Sequence, residues 1–344
     1  MKSISVFVAF CAFVIAAATV LAGCGGVSST GATDGTGTSG NAGAELTLVA
    51  YSTPKEAYEA LIPAFQKTPE GGGVSFDQSY AASGEQSRAV EAGLPASVVA
   101  FSLEPDITRL VDAGIVGDDW NSDQYKGMVT DSVVVFVVRK GNPKGIKAWD
   151  DLVKPDIEVI TPNPFTSGGA RWNLMAAYGA QIELGKSEDE ALQYLQDLLS
   201  HTPVQDKSAR EALQTFVGGK GDVMIAYENE AITAQQKGED VDYVVPDQTI
   251  LIENPIAVLK DAPPAAQAFV DFLHSGEAQK LFANKGYRPV VESVLAGTSF
   301  PQPSGLFTIE KFGGWSEVKT KFFDPEEGLV TLIEQDQGVS TDSG

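Results

Sequence analysis

Apolar positions along the chain fall into two alternating rhythms. Short apolar runs, LTLVA (46–50), VSF (74–76) and SVVAF (97–101), have the length and composition of buried strands. Between the first two, Ala57, Tyr58, Leu61, Ile62 and Phe65 recur at the spacing that lines one face of a helix. The rhythm repeats after VVVFVV (133–138), with VIT (159–161), helices after Gly169 and from Ser187, and MIAY (224–227). It returns in IAVL (256–259) and in a helix carrying Ala266, Phe269, Val270, Phe272 and Leu273. Strands alternating with helices predict an α/β fold. We expect two lobes, with the chain crossing near 133–139 and returning near 244–256. Lobe 1 then takes residues 45–132 plus 250–344, and lobe 2 takes 133–249, both with approximate bounds.

The amino end follows a different pattern. Lys2 precedes an apolar run from Ile4 to Val20, close to the minimum length for a membrane span, and the run stops at Leu21-Ala22-Gly23-Cys24. Those four residues resemble the lipobox of bacterial lipoproteins, in which the bond before the cysteine is cut and its thiol is acylated. Residues 1–23 are accordingly expected to be a signal peptide, and Cys24 the lipidation site. Residues 24–44, nearly all Gly, Ser, Thr, Ala and Asn, form a flexible tether. Cys11 is lost with the signal, so Cys24 is the sole cysteine of the mature chain and an internal disulfide is excluded. The protein is thus expected outside the cytoplasm, lipid-anchored or periplasmic.

Composition narrows the function. With 344 residues and 43% apolar content the chain can bury a sizeable core. Its 46 acidic residues against 24 basic give a net charge of −22, which repels nucleic acid and anionic lipid. An anion bound by such a chain has to be held locally. Catalysis finds little support: the two histidines, His201 and His274, stand far apart, and no G-x-S-x-G elbow occurs. Adjacent acids such as Asp118-Asp119 and Asp150-Asp151 arise by chance in so acidic a chain. We expect no enzyme activity, no cofactor and no metal.

Helix starts are legible. Thr53-Pro54-Lys55-Glu56, Ser83-Gly84-Glu85-Gln86, Ser187-Glu188-Asp189-Glu190 and Ser208-Ala209-Arg210-Glu211 all fit the capping box. Ser167-Gly168-Gly169-Ala170 has the hydroxyl but no residue to reach back. It reads either as a plain tight turn or as a helix start whose open amides, with the positive end of the helix dipole, suit an oxyanion.

Three stretches carry a resemblance: SYAASGEQSRAV (79–90), the long VVRKGNPKGIKAWDDLVKPDIEVITPNPFTSGGARWNLMAAYGA (137–180), and GDVMIAYENEA (221–231). Together with YRPV (287–290) and FTIEKFGGW (307–315), they resemble the periplasmic sulfate-binding proteins of ABC importers over about residues 46–320. The resemblance implies a two-lobe type II periplasmic-binding-protein fold, hinged by two crossing segments and closing on a desolvated sulfate held by uncharged donors. The donors it implies are the N–H and hydroxyl of Ser83, the N–H and hydroxyl of Ser167, the N–H groups of Gly168, Gly169 and Ala209, and Tyr227 in place of the family's Trp. Thr53, Tyr80 and Phe165 fall at rim positions. Glu85 and Glu211 stand in first turns where they would repel an anion if they faced it. The implied partners are sulfate or a similar oxyanion and the membrane permease subunits of an ABC importer, with the protein itself a monomer. Thiosulfate, molybdate, a phosphate-like anion, or a scaffold role without transport are the alternatives.

Overall fold

The computed structural model describes residues 43–342. The expected signal peptide and lipidation site Cys24, and nearly all of the expected tether, lie outside these. Among the described residues no helix is long and apolar enough to cross a membrane.

Ten strands form one sheet. They are β1 (Glu45–Tyr51), β2 (Ser75–Ala81), β3 (Val98–Ala100), β4 (Met128–Arg139), β5 (Val159–Ile160), β6 (Val223–Tyr227), β7 (Val241–Val244), β8 (Gln248–Val258), β9 (Arg288–Pro289) and β10 (Gly305–Phe307). The path runs β2-β1-β3-β8-β4-β6-β5, with β10 on β8 and β7 and β9 on β4. On one side β1 pairs in parallel with β2 and β3, and on the other β5 pairs in parallel with β6. The long antiparallel pair β4 and β8 joins the two sides, because β3 takes the end of β8 from Ile256 while β6 and β7 take the far half of β4. These are the two crossing segments of a two-lobe α/β binding-protein fold, close to where the apolar pattern puts them.

The helices are α1 (Lys55–Phe65), α2 (Ser83–Glu91), α3 (Glu104–Asp112), α4 (Gly168–Glu183), α5 (Glu188–Ser200), α6 (Ala209–Val217), α7 (Glu228–Gln236), α8 (Pro264–Leu273), α9 (Gly276–Asn284), α10 (Glu292–Leu295), α11 (Gly314–Phe323) and α12 (Leu329–Asp336). They cover both faces of the sheet, so the run 133–138 of the central strand β4 is apolar on both faces. In β4, Val133, Val135 and Val137 pack with Phe216 and Met224 on one face. Val134, Phe136 and Val138 pack with Trp149 and Trp172 on the other. In β1, Leu48 and Ala50 join Tyr58, Phe65 and Phe269, while Val49 turns to Phe101 and Ile107. The predicted α1 face, Ala57 to Phe65, is buried throughout.

Three local expectations change. Thr53 and Ser83 do not cap: α1 starts after Pro54 and α2 after Ala82, neither with a side-chain cap bond. The Ser187 box forms in full, and Ser208 accepts from Glu211 N–H at 3.3 Å. Finally, Phe307, Trp315 and Phe322, beyond the expected return at 250, are buried with Trp172 and Tyr178 rather than with the β1 core.

Candidate functional site

The sheet delivers side chains to one point. Tyr51 ends β1, Ser102 follows β3 and Tyr227 ends β6, all at the carboxyl ends of strands that take part in parallel pairing. That is where ligands gather in α/β sheets. Facing them are the amino ends of three helices: Ser83 opens α2, Ser167 precedes α4 with Gly168 and Gly169 in its first turn, and Ala209 opens α6. Together with Ser52, Thr53 and Ala82 these residues line a single cavity of about 10 Å³. That is room for about one water molecule. All six residues expected to bind are therefore brought together.

The lining mixes hydroxyl-bearing and small apolar residues and holds no charged side chain. First-turn amides have no acceptor within their own helix, and three helix dipoles place partial positive charge here. Ser167 makes no cap bond with its side chain, which leaves the α4 amides uncapped by it. The hydroxyls of Tyr51, Ser102 and Tyr227 are buried without a partner of hydrogen-bond geometry among the described residues, although those of Ser102 and Tyr227 approach each other and Thr53 and Tyr287 approach that of Tyr51. Burial drives the Tyr227 phenol well above its ordinary pKa, so it is a neutral phenol at physiological pH. Unpaired buried hydroxyls cost stability unless something fills the space between them.

Two of the expected donors are spent elsewhere. The Ser83 hydroxyl donates to Asp106 Oδ2 at 2.5 Å and accepts from Ser102 N–H at 3.0 Å, which leaves its backbone N–H as the expected donor. The Ser167 N–H donates to the Asn163 carbonyl at 2.9 Å, leaving its hydroxyl. Of the rim positions Thr53 lines the cavity and the other two do not. Tyr80 is half-buried and donates to Gln78 Oε1 at 2.7 Å, while Phe165 sits in the core near Trp172. Glu85 and Glu211 are exposed and absent from the lining, so they act as ordinary first-turn acids.

The sequence reading missed Tyr51, Ser52, Ala82 and Ser102. Tyr51 and Ser102 stand directly at strand ends, and that position was the signal that could have found them. A larger cavity of about 390 Å³ lies beside the site, bordered by Thr53, Glu56, Arg210, Glu230 and Lys237. Its cations are already engaged: Glu56 pairs with Arg210 at 2.6 Å and also with Lys237. With Glu239 on the same wall it offers an anion no surplus of positive charge.

The chain that builds this cavity between two α/β lobes has counterparts among known proteins. Residues 46–288 match the family of bacterial extracellular solute-binding proteins. The chain belongs to that family. It is a family of binding proteins rather than enzymes, and its members work outside the cytoplasm. A sulfate-binding protein of Synechococcus elongatus is 43% identical over 83% of this chain and 86% of its own length. A thiosulfate-binding protein of Pseudomonas aeruginosa is 35% identical over 83% of this chain and 91% of its own. The solved sulfate-binding protein SubI of Mycobacterium tuberculosis H37Rv is 48% identical, superimposes with a TM-score of 0.80, and matches 82% of this chain and 100% of its own. The two histidines are structural: His201 Nδ1 lies 2.9 Å from the Ile157 carbonyl and His274 Nε2 2.9 Å from that of Met128.

Proposed function

We propose that this solute-binding protein takes a tetrahedral, fully deprotonated oxyanion, sulfate, and delivers it to the membrane subunits of an ABC importer. The observation that carries this is the lining of the small cavity, which is made of hydroxyl-bearing residues, glycines and alanines at strand ends and helix starts, with no carboxylate. Sulfate at neutral pH is all acceptor, so donors satisfy it without a counter-ion, and helix dipoles spread its charge. A hydrogen phosphate brings a proton that a pure donor set leaves unpaired, and a missing partner is how polar sites discriminate. The residues proposed to bind are Ser83, Ser167, Gly168, Gly169, Ala209 and Tyr227, with Thr53 at the edge. Similarity to sulfate-binding proteins across more than four fifths of the chain supports the choice of anion.

Further parts of the proposal rest on the sequence. The mature protein begins at an acylated Cys24, works as a monomer, and reaches its permease on the 24–44 leash. Its lobes are residues 45–132 with the return from 250, and 133–249, with the carboxyl-terminal helices packed on the second. A calorimetric competition titration against sulfate, thiosulfate, molybdate and phosphate tests the anion. Sulfate is expected to bind near micromolar, about −8 kcal/mol, and phosphate at least tenfold more weakly. Phosphate binding the tighter of the two would overturn the assignment.

A further inference from the structure

We infer that the hydroxyls of Tyr51 and Ser102 are the first lobe's side-chain donors to the bound oxyanion, filling the role that the resemblance gives to the Ser83 hydroxyl. This rests on the oxyanion reading of the cavity. The Ser83 hydroxyl is committed twice over, to Asp106 and to the Ser102 N–H. Without other groups, the first lobe would offer the anion little beyond the Ser83 amide. The second lobe offers the Ser167 and Tyr227 hydroxyls and three first-turn amides. An anion held almost wholly by one lobe gains little from closure, because a ligand shifts an equilibrium only by its differential contacts.

Tyr51 and Ser102 correct that imbalance. Tyr51 is 5% exposed and Ser102 0%, both line the cavity, and neither hydroxyl has a partner of hydrogen-bond geometry among the described residues, although that of Ser102 approaches the Tyr227 hydroxyl. The Tyr51 ring stands 6.5 Å from that of Tyr227, so phenols from opposite lobes flank the same small space. Behind Tyr51, the hydroxyls of Thr53 and Tyr287 lie 3.3 Å from each other and approach the Tyr51 oxygen without hydrogen-bond geometry. A small rotation lets either donate to that oxygen, which leaves the Tyr51 proton free for the anion and polarises it. Ser102 Oγ is held against the amino end of α4: a Cβ built on Gly168 would fall 2.1 Å from it. That places the hydroxyl beside the first turn of α4, on the wall of the same cavity.

The test is calorimetry with potassium sulfate, alongside thermal melts, on the detergent-solubilised full chain and the variants Tyr51→Phe and Ser102→Ala. Each variant is expected to raise the sulfate Kd about tenfold, the size of a hydrogen bond to a charged group. The ligand-free melting temperature is expected to stay level or rise, since each change removes an unpaired buried hydroxyl, while the sulfate-induced rise shrinks. A merely structural role would lower the ligand-free melting temperature and leave Kd alone, and Kd within about twofold of the wild type for both variants overturns the inference. If Ser102→Ala does not fold, Ser102→Cys keeps the volume with a weak donor and reads the same quantity. A wild type that ignores sulfate but binds thiosulfate or molybdate sinks the sulfate assignment alone. The variants titrated with that anion then decide the roles of Tyr51 and Ser102, and a wild type silent to all three sinks both.

Discussion

The Tyr227 hydroxyl is the group on which the choice of anion turns. It is buried, uncharged and without a partner, and a phenol both donates and accepts. If it donates to a fully deprotonated anion, Tyr227→Phe should lose about 1–3 kcal/mol of binding, and Tyr227→Trp should keep most of it. If it accepts from a protonated ligand, Tyr227→Trp should weaken binding and shift its pH dependence, because indole N–H cannot accept. Sulfate and phosphate affinities of wild type and both variants, measured at two pH values, separate the two. The sequence identified which residues meet at the cavity but not which of their atoms are free. Ser83 loses its hydroxyl to Asp106, 23 positions on, and Ser167 loses its N–H to a carbonyl four residues back. Hydrogen-bond satisfaction of this kind is decided by tertiary neighbours, which no local pattern reports. Ser83→Ala is therefore expected to lower the melting temperature by leaving Asp106 short of a donor, with a smaller effect on sulfate Kd than Tyr227→Phe.

At the scale of the element, the amino end of α4 is where sequence and structure agree most closely. Two glycines after an uncapped serine predicted close approach, and Gly168 permits it: any Cβ there would strike Ser102 Oγ at 2.1 Å and Leu103 Cγ at 2.8 Å on the facing lobe. Gly168→Ala should thus hold the lobes apart and raise the sulfate Kd by more than tenfold, while the helix itself gains a better helix former. Calorimetry paired with a ligand-free melt reads both halves. An unchanged Kd would return Ser167-Gly168-Gly169 to a plain turn. The long crossing strand was harder to see. Asn254-Pro255 reads as a strand breaker, so the apolar pattern begins that strand only at Ile256. The structure carries β8 straight through it, because the register slips opposite, between Met128 and Thr130, and accommodates the proline. Thr53 failed as a cap for a related reason: its hydroxyl lies 3.3 Å from that of Tyr287, 234 residues away.

At the scale of the molecule, the lobes are clamped across the cleft by charge. Arg210 of α6 donates to the Ser52 carbonyl at 3.0 Å and to both oxygens of Glu56, which Lys237 also meets. Burial raises the Glu56 pKa, but the hydrogen bonds from Arg210 and Lys237 outweigh it and hold the carboxyl at about 2. A depressed carboxyl gives stability that is present above its ordinary value and lost as pH falls toward 2, so this clamp persists in mild acid. Two other carboxyls work in the opposite sense. Asp131 of β4 sits beside Glu253 of β8 and Arg288 of β9, and burial followed by repulsion from Glu253 pushes it up to about 8 despite the arginine. Glu230 is pushed up to about 7 by burial, against the Tyr227 N–H and Arg210. Both are more protonated folded than unfolded, so the stability they give is fully present below their ordinary values and is lost as pH rises through 7 to 8. The ligand-free chain is therefore expected to melt higher at about pH 6 than at about pH 8.5, a range over which its depressed carboxyls contribute no difference. Because Asp131 lies on one of the two strands that join the lobes, Asp131→Asn should flatten that difference by removing the titrating group where the strain is greatest. Melts of wild type and Asp131→Asn across the range check it, and a wild type that becomes more stable toward pH 8.5 would show that these two buried carboxyls stay ionised in the folded chain.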